Sequence, residues 1–299
     1  MIFRSLFVTL VLLALHSPAN GQSKKLKVYI SVDMEGISGV VTDDQLSPSG
    51  FEYERYREVM TREALAAVRA AKEAGATEIL VSDSHGNGEN LIVDMFPKEV
   101  RVIRSWPRRL SMMAGIDSTF DAVIFIGYHS SIHNQRGVRA HTFSSARIAR
   151  IAINGVEMTE GAWNAAIAGY FGVPVVMVSG DEYAITELQQ AVGNIEGAEV
   201  KKSLGYHSAN TLTAEAAAEL IYQKARKGLE RRKDFRPYVV RTPVTLDLTF
   251  KHYRPAEVLA YLKFIERTGT HSIRYLGKDM LEIADFMVFL SNYSIGLEP

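Results

Sequence analysis

The chain has 299 residues, 47% of them hydrophobic, with 34 Lys+Arg against 34 Asp+Glu and no cysteine. The apolar share is enough for a core, and the balanced charge gives no electrostatic footprint for nucleic acid or an anionic membrane as main partner. Without cysteine there is no disulfide framework, no thiolate metal site and no thiol nucleophile.

The N-terminus places Arg4 before the apolar run Leu6–Leu15, then Pro18 and small residues ahead of Gln22. This is the grammar of a secretory signal, and the run is shorter than the ~20 residues of a membrane span. A leader over 1–21, cleaved on export to a periplasm, is expected, leaving no membrane anchor.

Four segments then share one pattern, an apolar β-branched run followed by polar residues. Lys27–Val32 ends in Asp33-Met34-Glu35, and Glu78–Val81 in Ser82-Asp83-Ser84-His85-Gly86. Ala122–Ile126 ends in Gly127-Tyr128-His129, and Val173–Val178 in Ser179-Gly180-Asp181. Runs with little alternation suit strands buried on both faces. Helical patterns intervene at Tyr53–Ala74, Thr159–Gly169 and Glu182–Gln190. Strands alternating with helices predict an α/β fold, a mostly parallel sheet flanked by helices, as a catalytic domain over 22–205.

From about Tyr206 the character changes. A helix over Ala214–Arg231 precedes an alternating strand over Pro243–Phe250, a helix over Pro255–Ile265, a strand over Thr270–Tyr275 and a closing helix over Asp279–Leu290. These predict a smaller α+β domain over 206–299. The basic clusters Lys201-Lys202 and Arg231-Arg232-Lys233, and the Arg-rich stretch 101–109, read as solvated.

In open α/β sheets, ligands sit beyond the carboxyl ends of the strands. Each of the four strands delivers a carboxylate or a histidine there. Asp33 and Glu35, two apart in an extended segment, face the same way and address one point. Held that close without a positive partner they repel, and one has to protonate. A divalent cation removes the conflict, and adding His85 and His129 suits zinc or a similar first-row metal better than magnesium or calcium. A bridging carboxylate would make the site dinuclear. Taken singly, each residue also has a bland reading, as a cap, a solvated acid or a core histidine. His141 stays open between base, acid, ligand and no role, and His133 has no evident setting. Glu160 suits a helix start on macrodipole grounds alone, and Asp181 suits a helix cap. No G-x-S-x-G elbow, P-loop, G-x-G-x-x-G or His-Glu-x-x-His is present.

The ordered set "SVDMEGISG", "SDSHG", "GYHS", "HTFS" and "NGVEMTEGAWNAAIAGYFGVPVVMVSGD" resembles the M55 family of metallopeptidases, the D-aminopeptidases of the dipeptide-transport type. The similarity runs from about Lys27 to about Leu290. It implies a dinuclear zinc site on Asp33, Glu35, His85, His129 and Glu160, with His141 as the active-site histidine; His133 matches no motif position. It implies hydrolysis of short peptides with an N-terminal D-amino acid, and a homo-oligomer, a decameric ring with sites facing an internal cavity. The family's best-understood members look cytoplasmic, whereas this chain carries an export signal. Two other readings remain at the sequence level. One is a phosphohydrolase, with dinuclear metal or with Asp33 as a haloacid-dehalogenase-like nucleophile. The other is an exported peptide-binding protein without turnover.

Overall fold

The computed structural model describes residues 25–293, and the expected leader over 1–21 lies outside them. In chain order, β1 (Leu26–Val32), a one-turn helix α1 (Asp43–Leu46) and α2 (Tyr53–Glu73) come first. They are followed by β2 (Ala76–Asp83), β3 (Val100–Ile103), β4 (Ala122–Ile126), β5 (Ile148–Ile153) and β6 (Val156–Glu157). Next come α3 (Glu160–Tyr170), β7 (Val175–Asp181), α4 (Glu182–Val192), β8 (Glu196–Gly205), β9 (Ser208–Thr211) and α5 (Ala214–Glu230). The chain closes with β10 (Val244–Phe250), α6 (Tyr253–Leu259), β11 (Ile265–Arg267), β12 (Ser272–Gly277) and α7 (Met280–Asn292).

A seven-stranded sheet runs in the order β3-β2-β1-β4-β7-β8-β9, parallel except for the β8–β9 hairpin. A second, antiparallel sheet has the order β11-β12-β10-β5-β6. The fold is therefore α/β with a mostly parallel sheet, as the strand–helix alternation predicts. The expected 205/206 boundary falls in the β8–β9 hairpin. The second sheet takes β5 and β6 from before that point, and α5, which follows it, packs on α2.

The central strands show why their runs lack alternation. Val28, Ile30 and Val32 of β1 join a core with α2 and α5. Tyr29 faces the opposite core, shared with α3, α7 and the second sheet. With both faces covered, every position in these strands is apolar or internally bonded. Asp33 falls on the parity of Tyr29 and Ser31, which aims this end of β1 toward the second sheet.

Several expectations need correction. The helix expected over Pro255–Ile265 stops at Leu259, because the residues beyond it do not share a buried face: Tyr261 is 83% exposed. The Arg-rich stretch 101–109 is not simply solvated. It includes most of β3, and Arg108 turns inward to donate to Ser82 Oγ at 2.9 Å and Ser111 O at 3.0 Å, stacked on Trp106. Lys201, expected in a solvated pair with Lys202, is 2% exposed.

Candidate metal centre

The close fit of the loop after β1 to the end of β4 starts the site. Asp33 N donates to Ile126 O at 2.8 Å, and Gly36 N to Gly127 O at 2.7 Å. A Cβ at Gly36 would lie 2.1 Å from Tyr128 O, so only glycine permits this approach. On the other flank, Ser84 N donates to Val32 O at 2.8 Å and carries His85 past the end of β2. His129 follows β4 through Gly127, whose φ of 70° turns the chain. Glu160 opens the buried helix α3, with Thr159 Oγ1 capping Ala162 N at 2.8 Å. His141 arrives on the loop 130–141.

These six side chains meet. Asp33, Glu35, His85, His129 and Glu160 are all buried, and His141 nearly so. His85 Nδ1 lies 2.8 Å from Glu35 Oε2 and 3.4 Å from Asp33 Oδ1. His129 Nε2 lies 3.4 Å from Asp33 Oδ2 and 3.5 Å from Glu160 Oε1. His141 Nε2 lies 3.7 Å from Glu160 Oε1 and 3.9 Å from Glu35 Oε1, its ring stacked on His129 at 4.0 Å.

One rule orients all three rings. A carbonyl only accepts, so the ring nitrogen facing it carries the proton. His85 Nε2 donates to Leu46 O at 3.0 Å, His129 Nδ1 to Ser130 O at 3.0 Å, and His141 Nδ1 to Arg139 O at 2.8 Å. In each neutral ring the remaining lone pair therefore points at carboxylates. Lone pairs of nitrogen and oxygen converge there with no proton between them, the arrangement of a metal ligand set with its carbonyl-anchored histidines. Asp33 Oδ2 and His129 Nε2 are buried with no hydrogen-bond partner among the described residues. Two buried orphan acceptors facing each other are costly unless a cation lies between them, so the residues fit a first-row divalent metal.

Without a cation, protons fill that role. Burial disfavours a charged His85, but Glu35 and Asp33 hold its pKa well above 6.5; for His129, Glu160 and Asp33 do the same against the same burial. Burial also works against ionised Glu35 and Glu160, yet the imidazoles pull both carboxyls down. Asp33 goes the other way, raised by burial and by Glu35.

The centre opens on a cavity of about 560 Å³ between the two sheets. Glu35, His85, His141 and Glu160 line one side; Leu248, Phe250, Leu259 and Leu290 line the other. His133 is elsewhere, 3.5 Å from Glu157 and lining a separate pocket. Asp181 caps α4 through Tyr183 N and Ala184 N, and its other oxygen accepts from Val138 N at 2.8 Å, so it also holds the loop bearing His141. Sequence reasoning missed Arg139. Its left-handed φ of 55° turns its carbonyl onto His141, and its guanidinium reaches Asp43. Nothing in the pattern "QRGVRAH" marks that role.

A parallel α/β sheet with a buried carboxylate–imidazole cluster at its carboxyl edge defines a metallohydrolase class of site. The chain belongs to the M55 peptidase family, the D-aminopeptidases, whose sequence model matches residues 26–289. It is 33% identical over 271 residues to the D-aminopeptidase of Bacillus subtilis (strain 168), covering 90% of this chain and 98% of that protein. A solved structure described as the Zn-dependent D-aminopeptidase DppA from Bacillus subtilis, a self-compartmentalizing protease, superposes with a TM-score of 0.85 at 33% identity, over 89% of this chain and 97% of that one.

Proposed function

We propose that the protein is a zinc aminopeptidase that removes N-terminal D-residues from short peptides, with two zinc ions held by Asp33, Glu35, His85, His129 and Glu160. The observation that carries this reading is the facing pair of buried, unpartnered acceptors, Asp33 Oδ2 and His129 Nε2, within a cluster that opens on a peptide-sized cavity. Asp33 has one oxygen toward His85 and the other toward His129, so it is the residue that would be shared if two ions were bound. Bound zinc supplies Lewis-acid polarisation of the scissile carbonyl and activation of water at neutral pH.

The chain's own groups do the rest. His141, with its Nδ1 proton committed to Arg139 O, offers Nε2 to the reaction. That atom takes a proton from the attacking water and passes it to the leaving amine. Glu35 and Glu160 lie beside it and stabilise the imidazolium formed on the way. The apolar wall excludes water from the far end of the cavity and receives the substrate's side chains. The family's D-preference enters through membership rather than from the ligand set.

The export pattern at residues 1–21 supports action outside the cytoplasm, where D-Ala peptides from cell wall are the natural substrate class. The self-compartmentalizing relative supports a homo-oligomer with enclosed sites, and the decameric ring is carried by the family resemblance alone. The test is to incubate the zinc-loaded protein with D-Ala-D-Ala and L-Ala-L-Ala and measure free alanine. Release from the D-peptide alone is expected. Release from the L-peptide alone overturns the stereochemistry, and release from neither overturns the peptidase reading.

A further inference from the structure

The loop that follows Asp33 is held by an unusual partner. Lys201, on β8, is the neighbour of an exposed lysine, yet its side chain is buried beneath this loop. Its Nζ donates to Glu35 O, to Ile37 O at 3.1 Å and to Val40 O at 2.7 Å. An ammonium has three N–H donors, and all three are used on backbone carbonyls. Among the described residues, no carboxylate is hydrogen-bonded to it. Glu63 of α2, also buried, accepts Ser38 N at 2.9 Å, while Gly39 N donates to Thr211 Oγ1 at 2.7 Å. Segment 35–40 is thus pinned from α2, β8 and β9 at once, and from β4 through Gly36.

Stability alone does not account for a buried charge here. Replacing buried ions by apolar groups of similar volume is often neutral or stabilising, because desolvation offsets the Coulombic gain. What this ammonium does that an apolar side chain cannot is gather three carbonyls to one point, the first being that of Glu35. Fixing the Glu35 carbonyl fixes the Cα from which its carboxylate projects toward His85. We propose that Lys201 is a positioning residue for the metal centre, clamping the backbone of Glu35 so that its carboxylate is preorganised for zinc. The inference rests on the proposed ligand role of Glu35. It assigns a role in the reaction to a residue that touches neither metal nor substrate.

The test measures zinc affinity by competition with a chromogenic chelator, and kcat and KM at saturating zinc, for wild type, Lys201→Met, Lys202→Met and Glu35→Gln. Folding is checked by circular dichroism and thermal unfolding of the metal-free forms. Outer partners of metal ligands typically contribute about 10–100-fold to metal affinity or activity, and Lys201→Met is expected to lose zinc affinity in that range while folded, with kcat reduced more than KM is raised. Lys202→Met is expected to match wild type. A folded Lys201→Met with wild-type zinc affinity and kcat overturns the proposal, as does a variant that only unfolds at lower temperature. If Lys201→Met does not fold, Lys201→Gln is measured by the same criteria; failure of both to fold overturns positioning in favour of a purely structural role. If wild type does not bind zinc, or Glu35→Gln leaves binding unchanged, the metal-site reading itself falls, and that result is distinct from a failure of Lys201 alone.

Discussion

At the scale of single residues, the centre is a competition between protons and metal for the same lone pairs. In the metal-free protein, the pKa of His85 and His129 is held well above the ordinary 6.5, against burial, by Glu35, Glu160 and Asp33. A folded-state pKa raised above the unfolded one gives stability that is fully present below 6.5 and lost as pH rises through the folded value. Glu35 and Glu160, held below the ordinary 4.5 by the imidazoles despite burial, stabilise above that value and lose the contribution on acidification. Asp33, raised by burial and Glu35, adds a cost as it ionises above 3.8, in the same direction as the histidines at rising pH. Zinc at the proposed site would take the place of the protons and favour the deprotonated side chains. The thermal midpoint of the metal-free protein should therefore fall as pH rises above 6.5, and the increase in midpoint on adding zinc should grow in the same direction. A zinc-induced shift that stays flat with pH would contradict this account. Asp33, Glu35, His85 and His129 were legible in sequence because each follows an apolar run by one to four residues, and a sheet edge turns that spacing into convergence. Glu160 and His141 were not legible from spacing, since they reach the centre from a helix start and a loop whose paths the pattern does not fix.

At the scale of elements, the loop 130–141 decides whether His141 can act. Asp181 holds it from the end of β7 through Val138 N, while Glu187 of α4 accepts Ser131 N at 2.7 Å and Asn134 Nδ2 at 2.6 Å. One carboxylate therefore caps α4 and anchors the loop. Losing the cap costs about 1–2 kcal/mol of stability. Misplacing a reacting group by about 1 Å costs on the order of 10²-fold in rate. Asp181→Ala should accordingly lower kcat by about that factor, approaching His141→Ala, whose loss of proton transfer is on the order of 10²–10⁴-fold, with zinc content unchanged in both. Metal analysis alongside initial rates checks this, and loss of zinc from His141→Ala would make that residue a ligand. Element by element, the buried central strands and the long helices were readable: β4 lies at its expected residues, and α2 and α5 each end one residue before expectation. β3, β5, β6, β8, β9 and β11 were missed. β8 mixes Glu, Gly, Ala and Lys in "EGAEVKKSLG", so neither a buried run nor strict alternation marks it, and the buried lysine within it reads from sequence as solvated.

At the scale of the whole molecule, the substrate's length is set where the two sheets face each other. The parallel sheet supplies the reacting groups, and β10, α6 and α7 supply the opposite wall, so neither unit encloses the cavity alone. Its volume of about 560 Å³ accommodates a short peptide and no folded chain. Leu290, half-buried on α7 and in the wall opposite the carboxylate–imidazole cluster, has room for a larger side chain at lower packing cost than the fully buried Leu248 or Leu259. Leu290→Trp should shorten the cavity without touching the centre. For a dipeptide, KM and kcat should stay near wild type. For a tripeptide or longer, KM should rise about tenfold, a difference of about 1.4 kcal/mol in binding, with zinc content and kcat retained. Comparing the two substrates on one enzyme preparation separates this from a general loss of fold, which would lower both rates together. Equal KM changes for the dipeptide and the longer substrates would move the length-determining wall away from α7.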